Sequence, residues 1–255
     1  MLARPYYSSL RPFREWFQTG RPVLTYHHVG ACPRGARLKG LYVSDKLFDR
    51  QMSELRKEGF STPNFGTVTR PPENSQSQIF ITFDDGFRDV FINALPVLKK
   101  HGFRAIQFLV ADFLGKTSAW QAGPGGKSEQ IMDKAEVNDW LSEGQQIGSH
   151  TRTHPWLTRV APSLAREEIF GSKKALEDRF GVSLEHFCYP YGDWNEAVRD
   201  LVIAAGYKTA CTTKAGVNTP SDSPFSLKRF TARYPSRNLK AIWARMRGWK
   251  GKLKG

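Results

Sequence analysis

The sequence predicts an α/β fold: a distorted (β/α) barrel in a single domain. Three observations lead there. Short apolar, β-rich runs alternate with amphipathic helical segments along most of the chain. Polar residues suited to chemistry collect just after the strand-like runs, the arrangement expected at the C-terminal ends of parallel barrel strands. A length of 255 residues with 40% hydrophobic content suits one unit with a sizeable core, and neither a repeat nor an interdomain linker interrupts it.

The elements follow in order. Val23–Tyr26 reads as a strand ending at His27-His28. Residues 44–59 carry helical spacing at Phe48, Met52 and Leu55, with Ser44 as N-cap and Gly59 closing the C-terminus. Residues 78–83 form the clearest buried strand. Residues 89–101 are a helix stopped by Gly102, and 105–110 the next strand. Residues 133–143 are helical, and Gln146–Ser149 is a strand leading into His150. A long amphipathic helix covers 163–180, followed by a strand over 186–189 that feeds Pro190-Tyr191-Gly192. Residues 195–205 are a helix stopped by Gly206, and 208–212 a strand. Residues 70–77 and 115–127 read as loops. Within the second, Gly123-Pro124-Gly125-Gly126-Lys127-Ser128 has Gln121 where a phosphate-binding loop needs glycine, so it is set aside.

Two motifs carry the chemistry. Thr82-Phe83-Asp84-Asp85-Gly86 puts two carboxylates side by side at a strand end, and His150-Thr151-Arg152-Thr153-His154 puts two imidazoles four positions apart. Two adjacent carboxylates raise one another's pKa unless a cation intervenes. One Asp with two His is the usual protein complement of a catalytic divalent metal that keeps a position open for water. Asp85, His150 and His154 as ligands leave Asp84 free as a base, provided the histidine segment turns helically so that both rings meet one ion. Each motif alone also fits a plainer reading, a helix cap and turn for the first and surface histidines for the second. A two-carboxylate glycosidase is disfavoured, because such enzymes separate their carboxylates by about 5–10 Å across the bond.

Taken in order, Tyr26-His27-His28, Thr82–Gly86, Gly148–Pro155 and Phe187–Gly192 resemble the polysaccharide deacetylases, the carbohydrate esterases built on the NodB homology domain. The resemblance spans residues 21–235, flanked by a basic-aromatic extension over 1–20 and a basic amphipathic tail over 236–255. It implies a barrel with fewer strands than a TIM barrel and metal-dependent removal of N-acetyl groups from amino sugars. By position, Asp85, His150 and His154 would hold the metal, zinc or else cobalt or manganese, with Asp84 as general base. The metal would polarise the acetamide and activate water, and Pro190 with the backbone N–H of Tyr191 would serve the oxyanion and substrate. The chain departs from the commonest pattern in two places. Cys188 stands where many members have an arginine that orients the catalytic aspartate, and Leu227-Lys228-Arg229 ends in arginine where many have an acid histidine. The early Tyr26-His27 is similar to the subgroup acting on exopolysaccharides such as poly-N-acetylglucosamine. His27 is therefore expected as the general acid, with Arg229 orienting Asp84 or touching substrate, His28 structural and Cys188 a core residue. The altered motifs leave open a catalytically weak or inactive glycan-binding relative.

The net charge is +14, and residues 236–255 contribute seven of it without one acid. That tail, with Ile242, Trp243, Met246, Trp249 and Leu253 among its basic residues, could lie on an anionic membrane face or pack on the barrel. No nucleic-acid module accompanies it, so nucleic acid is not an expected partner, and the resemblance implies an N-acetylated saccharide. Three cysteines without close spacing argue against a disulfide framework. With no signal-peptide pattern at the N-terminus, the sequence points to the cytoplasm, at the inner face of the membrane if the tail binds there.

Overall fold

The computed structural model describes residues 6–34, 36, 38–70, 77–121 and 128–233. The chain enters through a short helical turn, α1 (Arg14–Phe17), and strand β1 (Val23–Tyr26). β2 (His28–Val29) and β3 (Tyr42–Val43) pair in parallel as a small separate sheet, which the sequence pattern does not reveal because two-residue strands show no period. α2 (Asp45–Lys57) starts where expected, with the Ser44 side chain accepting from the Leu47 N–H at 3.2 Å. It turns Leu47, Phe48, Met52 and Leu55 into the core. β4 (Phe80–Phe83), α3 (Leu95–His101), β5 (Ile106–Leu109), α4 (Lys134–Ser142) and β6 (Gln146–Ser149) follow. α5 (Pro162–Arg166) and α6 (Ser172–Phe180) flank a π-helical turn at Glu167–Gly171, so the predicted long helix is one helix with a bulge. β7 (His186–Cys188), α7 (Glu196–Ala204), β8 (Thr209–Cys211) and β9 (Phe230–Thr231) complete the fold.

Seven strands form one parallel sheet in the order β8-β7-β6-β5-β4-β1-β9. The central strands β1, β4 and β5 are buried at every residue, as expected for parallel strands covered on both faces. The sheet curls until its edges meet in one short segment. Leu227 exchanges backbone hydrogen bonds with β8 (Leu227 N–H to Ala210 at 2.9 Å, Thr212 N–H to Leu227 at 3.0 Å), and three residues later β9 pairs with β1. Arg229 lies within this seam.

The segment expected as an N-terminal extension packs into the same core where it is described. Tyr7 bridges to Ala232, and Phe13 and Phe17 are buried against Phe230 at ring separations of 5.4 and 5.3 Å. The predicted loop after residue 115 pairs at Thr117 with Gln130 of the chain that returns to α4, and the segment after β4 bridges that same chain through Phe87–Ile131. The tail over 236–255 and the glycine-rich stretch at 123–127 lie outside the described residues. Among the described residues, no helix is long and apolar enough to cross a membrane.

Candidate metal and catalytic centre

Every motif residue singled out from the sequence sits at the C-terminal end of the sheet. β4 runs straight into Asp84, whose backbone N–H donates to the Tyr26 carbonyl at 3.0 Å and whose carbonyl accepts from the Gln107 side chain at 3.3 Å. Asp85 and Gly86 then take left-handed conformations (φ 75° and 79°), which turn the two adjacent carboxylates toward different partners. Both are 3% exposed.

The histidine motif corrects one expectation. His150 and His154 do converge, but not on a helix. The backbone after β6 makes an irregular turn with left-handed Thr151 (φ 70°) and His154 (φ 65°). Its N–H groups therefore have to find other acceptors. Even so, His150 Nε2 and His154 Nε2 lie 3.5 and 3.2 Å from the same oxygen, Asp85 Oδ1. His150 Nδ1 is 2.6 Å from the Cys188 carbonyl, which can only accept, so the proton is on Nδ1 and the Nε2 lone pair faces Asp85.

These three side chains fit a divalent cation. Asp85 Oδ1 is buried without a hydrogen-bond partner. Burial opposes its ionisation, but His154 and the other nearby imidazoles more than offset that and hold its carboxyl far below the usual range. Burial and the neighbouring His154 push His150 down to about 4, so its ring is neutral near pH 7 and able to ligate. An anionic oxygen and two neutral imidazole nitrogens around one point are the donors of an O/N/N metal site. A second cluster, Asp84, His150 and Cys188, is as compact but fits poorly. Burial pushes the Cys188 thiol well above its ordinary value, and Asp84 is already paired to a cation.

That cation is Arg229. Its Nη1 and Nη2 each lie 2.8 Å from one oxygen of Asp84, a two-point pair. Its remaining donors reach the Thr82 hydroxyl (3.1 Å), the Thr212 carbonyl (3.0 Å) and the Cys188 sulfur (3.1 Å), so all five N–H groups are satisfied. Burial works against the Asp84 charge, yet Arg229 more than offsets it and keeps the carboxyl below its usual range. Arg229 is 2% exposed. Of the two roles expected for it, the geometry matches orientation of Asp84, since all five donors are taken within the protein. Cys188 is buried as expected, and its sulfur also completes the coordination of the guanidinium.

His27 is partly exposed, with Nε2 3.8 Å from Asp84 Oδ2, its pKa lowered chiefly by burial although both aspartates oppose that. His28 is structural: it is stacked between Tyr42 (4.0 Å) and Phe87 (3.7 Å) and bonded to Asp89 at 2.8 Å. Pro190 is buried, and Tyr191 follows in a left-handed conformation (φ 60°). The Tyr191 ring meets His154 edge-on at 4.6 Å and stacks on Trp156 at 4.1 Å, while Trp120 covers the other side of His154 at 5.0 Å. Gly192 passes so close to Thr213 that a Cβ there would collide with its hydroxyl, which fixes the loop against β8. Sequence reasoning missed Trp120, Trp156 and Glu168. Glu168 did leave a signal, a carboxylate at helical spacing among the small and apolar residues Ala165, Ile169 and Ser172.

Comparisons with known proteins bear on the family and the fold. The profile of the polysaccharide deacetylase family matches residues 72–210. The polysaccharide-deacetylase-like protein YxkH of Bacillus subtilis is 27% identical over 222 residues, 84% of this chain and 73% of that one. The poly-β-1,6-N-acetyl-D-glucosamine N-deacetylase of Staphylococcus aureus is 21% identical over 198 residues, 75% of this chain and 68% of its own. The fold of the Streptococcus pyogenes deacetylase PplD superposes with a TM-score of 0.73 at 21% identity, covering 88% of this chain and 96% of that one. The chain belongs to the polysaccharide deacetylase family, a family of hydrolytic, metal-dependent deacetylases.

Proposed function

We propose that the chain removes N-acetyl groups from an amino-sugar-containing glycan or lipid-linked glycan precursor, with Asp85, His150 and His154 holding zinc. Cobalt or manganese would suit the same donors. The observation that carries this reading is the unpartnered Asp85 Oδ1 between two imidazole nitrogens, beside a second carboxylate kept ionised by Arg229. Similarity to an enzyme named for poly-β-1,6-N-acetyl-D-glucosamine supports a β-linked N-acetylglucosamine polymer as the first substrate to try.

When bound, a divalent ion supplies a Lewis acid for the acetamide carbonyl and raises the acidity of water. The chain's own groups do the rest. Asp84, locked by Arg229 in one orientation, takes the proton of the attacking water on Oδ2. The Tyr191 N–H donates to the developing oxyanion, and buried Pro190 holds that turn in place. His27, acting in the imidazolium form that Asp84 and Asp85 favour, gives its Nε2 proton to the departing amine nitrogen. The proton left on Asp84 returns to His27 through solvent, since 3.8 Å is beyond direct hydrogen-bond reach, which restores both groups, and the acetic acid formed gives its hydroxyl proton to the free amine to leave as acetate.

The test is elemental analysis of the purified protein together with acetate release from N-acetylglucosamine oligomers and lipid-linked sugars. Asp84→Asn is expected to keep the metal and lose about 10²–10⁴-fold in turnover. His150→Ala is expected to lose metal and turnover together. A metal-loaded protein that releases no acetate from any acetylated glycan overturns the enzymatic reading in favour of a glycan-binding relative.

A further inference from the structure

The histidine turn cannot satisfy its own backbone. His150 N–H makes the last rung of the β5–β6 ladder, but with Thr151 and His154 left-handed the N–H groups after it fall into no helical or sheet ladder, and buried N–H groups need acceptors. Local or neighbouring groups serve three N–H groups of the turn. His150 N–H donates to the Leu109 carbonyl (2.8 Å), Thr151 N–H to the Ser149 hydroxyl (3.3 Å), and His154 N–H to the Thr151 hydroxyl (3.0 Å). The two in the middle depend on one distant side chain. Arg152 N–H and Thr153 N–H both donate to Glu168 Oε2 at 2.8 Å, and the Thr153 hydroxyl donates to Glu168 Oε1 at 2.5 Å.

Glu168 is 4% exposed and projects from the π-helical turn between α5 and α6, an irregularity often found at functional sites. The helix can approach this closely because residue 171 is glycine: a Cβ there would lie 2.8 Å from Arg152 Cδ. The Arg152 side chain plays no part in the clamp. It points away, to Asp112 and Glu167.

We infer that Glu168 is a positioning residue for the metal centre: its carboxylate clamps the two central N–H groups of the turn and so sets the spacing of His150 and His154 about Asp85. The inference rests on the reading of those three residues as ligands. Groups that orient ligands are typically worth about 10–100-fold in metal affinity.

The test is Zn²⁺ affinity of the full-length protein, by competition with a chromophoric chelator, alongside the melting temperature of the metal-free form. Glu168→Leu, apolar and of similar size, should weaken Zn²⁺ binding about 10–100-fold. Glu168→Gln keeps an acceptor for both N–H groups and can donate to the Thr153 hydroxyl, so it should recover affinity to within about threefold of the parent. Arg152→Ala should leave affinity unchanged. Thr153→Val removes one of the three clamp bonds at an exposed position and should give a smaller loss, which decides the matter if Glu168→Leu does not fold. The inference is overturned if Glu168→Leu lowers the melting temperature but binds Zn²⁺ like the parent. It is also overturned if Glu168→Leu does not fold and Thr153→Val binds Zn²⁺ like the parent. A parent protein that binds no Zn²⁺, or a His150→Ala variant that binds it equally well, fails the underlying ligand assignment instead.

Discussion

Removing Arg229 should destabilise the protein in a way that depends on pH, and the size and direction follow from the pair it makes. Asp84 and Arg229 are both almost wholly buried, and the guanidinium makes five hydrogen bonds. Breaking such a pair from one side leaves an uncompensated buried charge and costs about 3–5 kcal/mol. That is a large part of the roughly 5–15 kcal/mol that holds a typical domain together. In the intact protein Arg229 keeps the Asp84 carboxyl below its ordinary range against the opposing effect of burial. The stability this confers is therefore present above about pH 4, the unfolded carboxyl value, and is lost as pH falls through the lower folded value. In Arg229→Met burial dominates, the folded Asp84 pKa rises above its ordinary value, and each unit of rise costs about 1.4 kcal/mol near neutrality. Urea unfolding of the metal-free parent and variant should show a deficit of about 3–5 kcal/mol near pH 7 that narrows toward pH 4. Arg229→Lys, which keeps the charge and loses the two-point fit, should fall between them. A deficit of the same size at both pH values would refute the electrostatic account and leave only lost packing. An unchanged urea midpoint near pH 7 would refute the pair's importance altogether.

Further outcomes follow from the same geometry. His27→Gln should lower kcat by about 10²-fold without altering metal content, since the ring lies outside the ligand set. A variant within threefold of the parent removes His27 as the acid. The cysteines should separate cleanly toward a maleimide. Cys32 is exposed, whereas Cys188 and Cys211 are buried, and burial pushes the Cys211 thiol up to about 12. One thiol should react in the native protein and three after unfolding. Rapid native labelling of a second would show that the strand ends beneath Asp84 open readily.

Much of the fold can be read from the chain because local physics dictates it. Long apolar runs such as residues 78–83 are recognisable as buried strands, and Ser44 and Asp133 announce their helices through side chains that cap the first turn. Short elements are not legible in this way. β2, β3 and β9 have two residues each, too few for a pattern, and exist because neighbouring strands hold them. The packing of Phe13 and Phe17 onto Phe230 and the bridge from Tyr7 to Ala232 join residues more than two hundred positions apart, so no local period betrays them.

The candidate site divides along the same line. Residue types and spacing alone singled out Asp84, Asp85, His150 and His154 as candidates for the chemistry, because an Asp pair after a buried strand and two histidines before a proline have few other uses in combination. Tertiary structure alone decided how they are held. The histidine spacing is helical on paper, but the turn that realises it is left-handed at two residues and depends on Glu168, which faces it from the π-helical turn. Arg229 had two open roles until the sheet curled and its edges met. The seam that closes the barrel carries the guanidinium to Asp84, in contact with the Cys188 sulfur. Donor chemistry belongs to the residue, and so can be read along the chain. Charge pairing and backbone satisfaction depend on what lies nearby in three dimensions, and only closure of the fold supplies those neighbours.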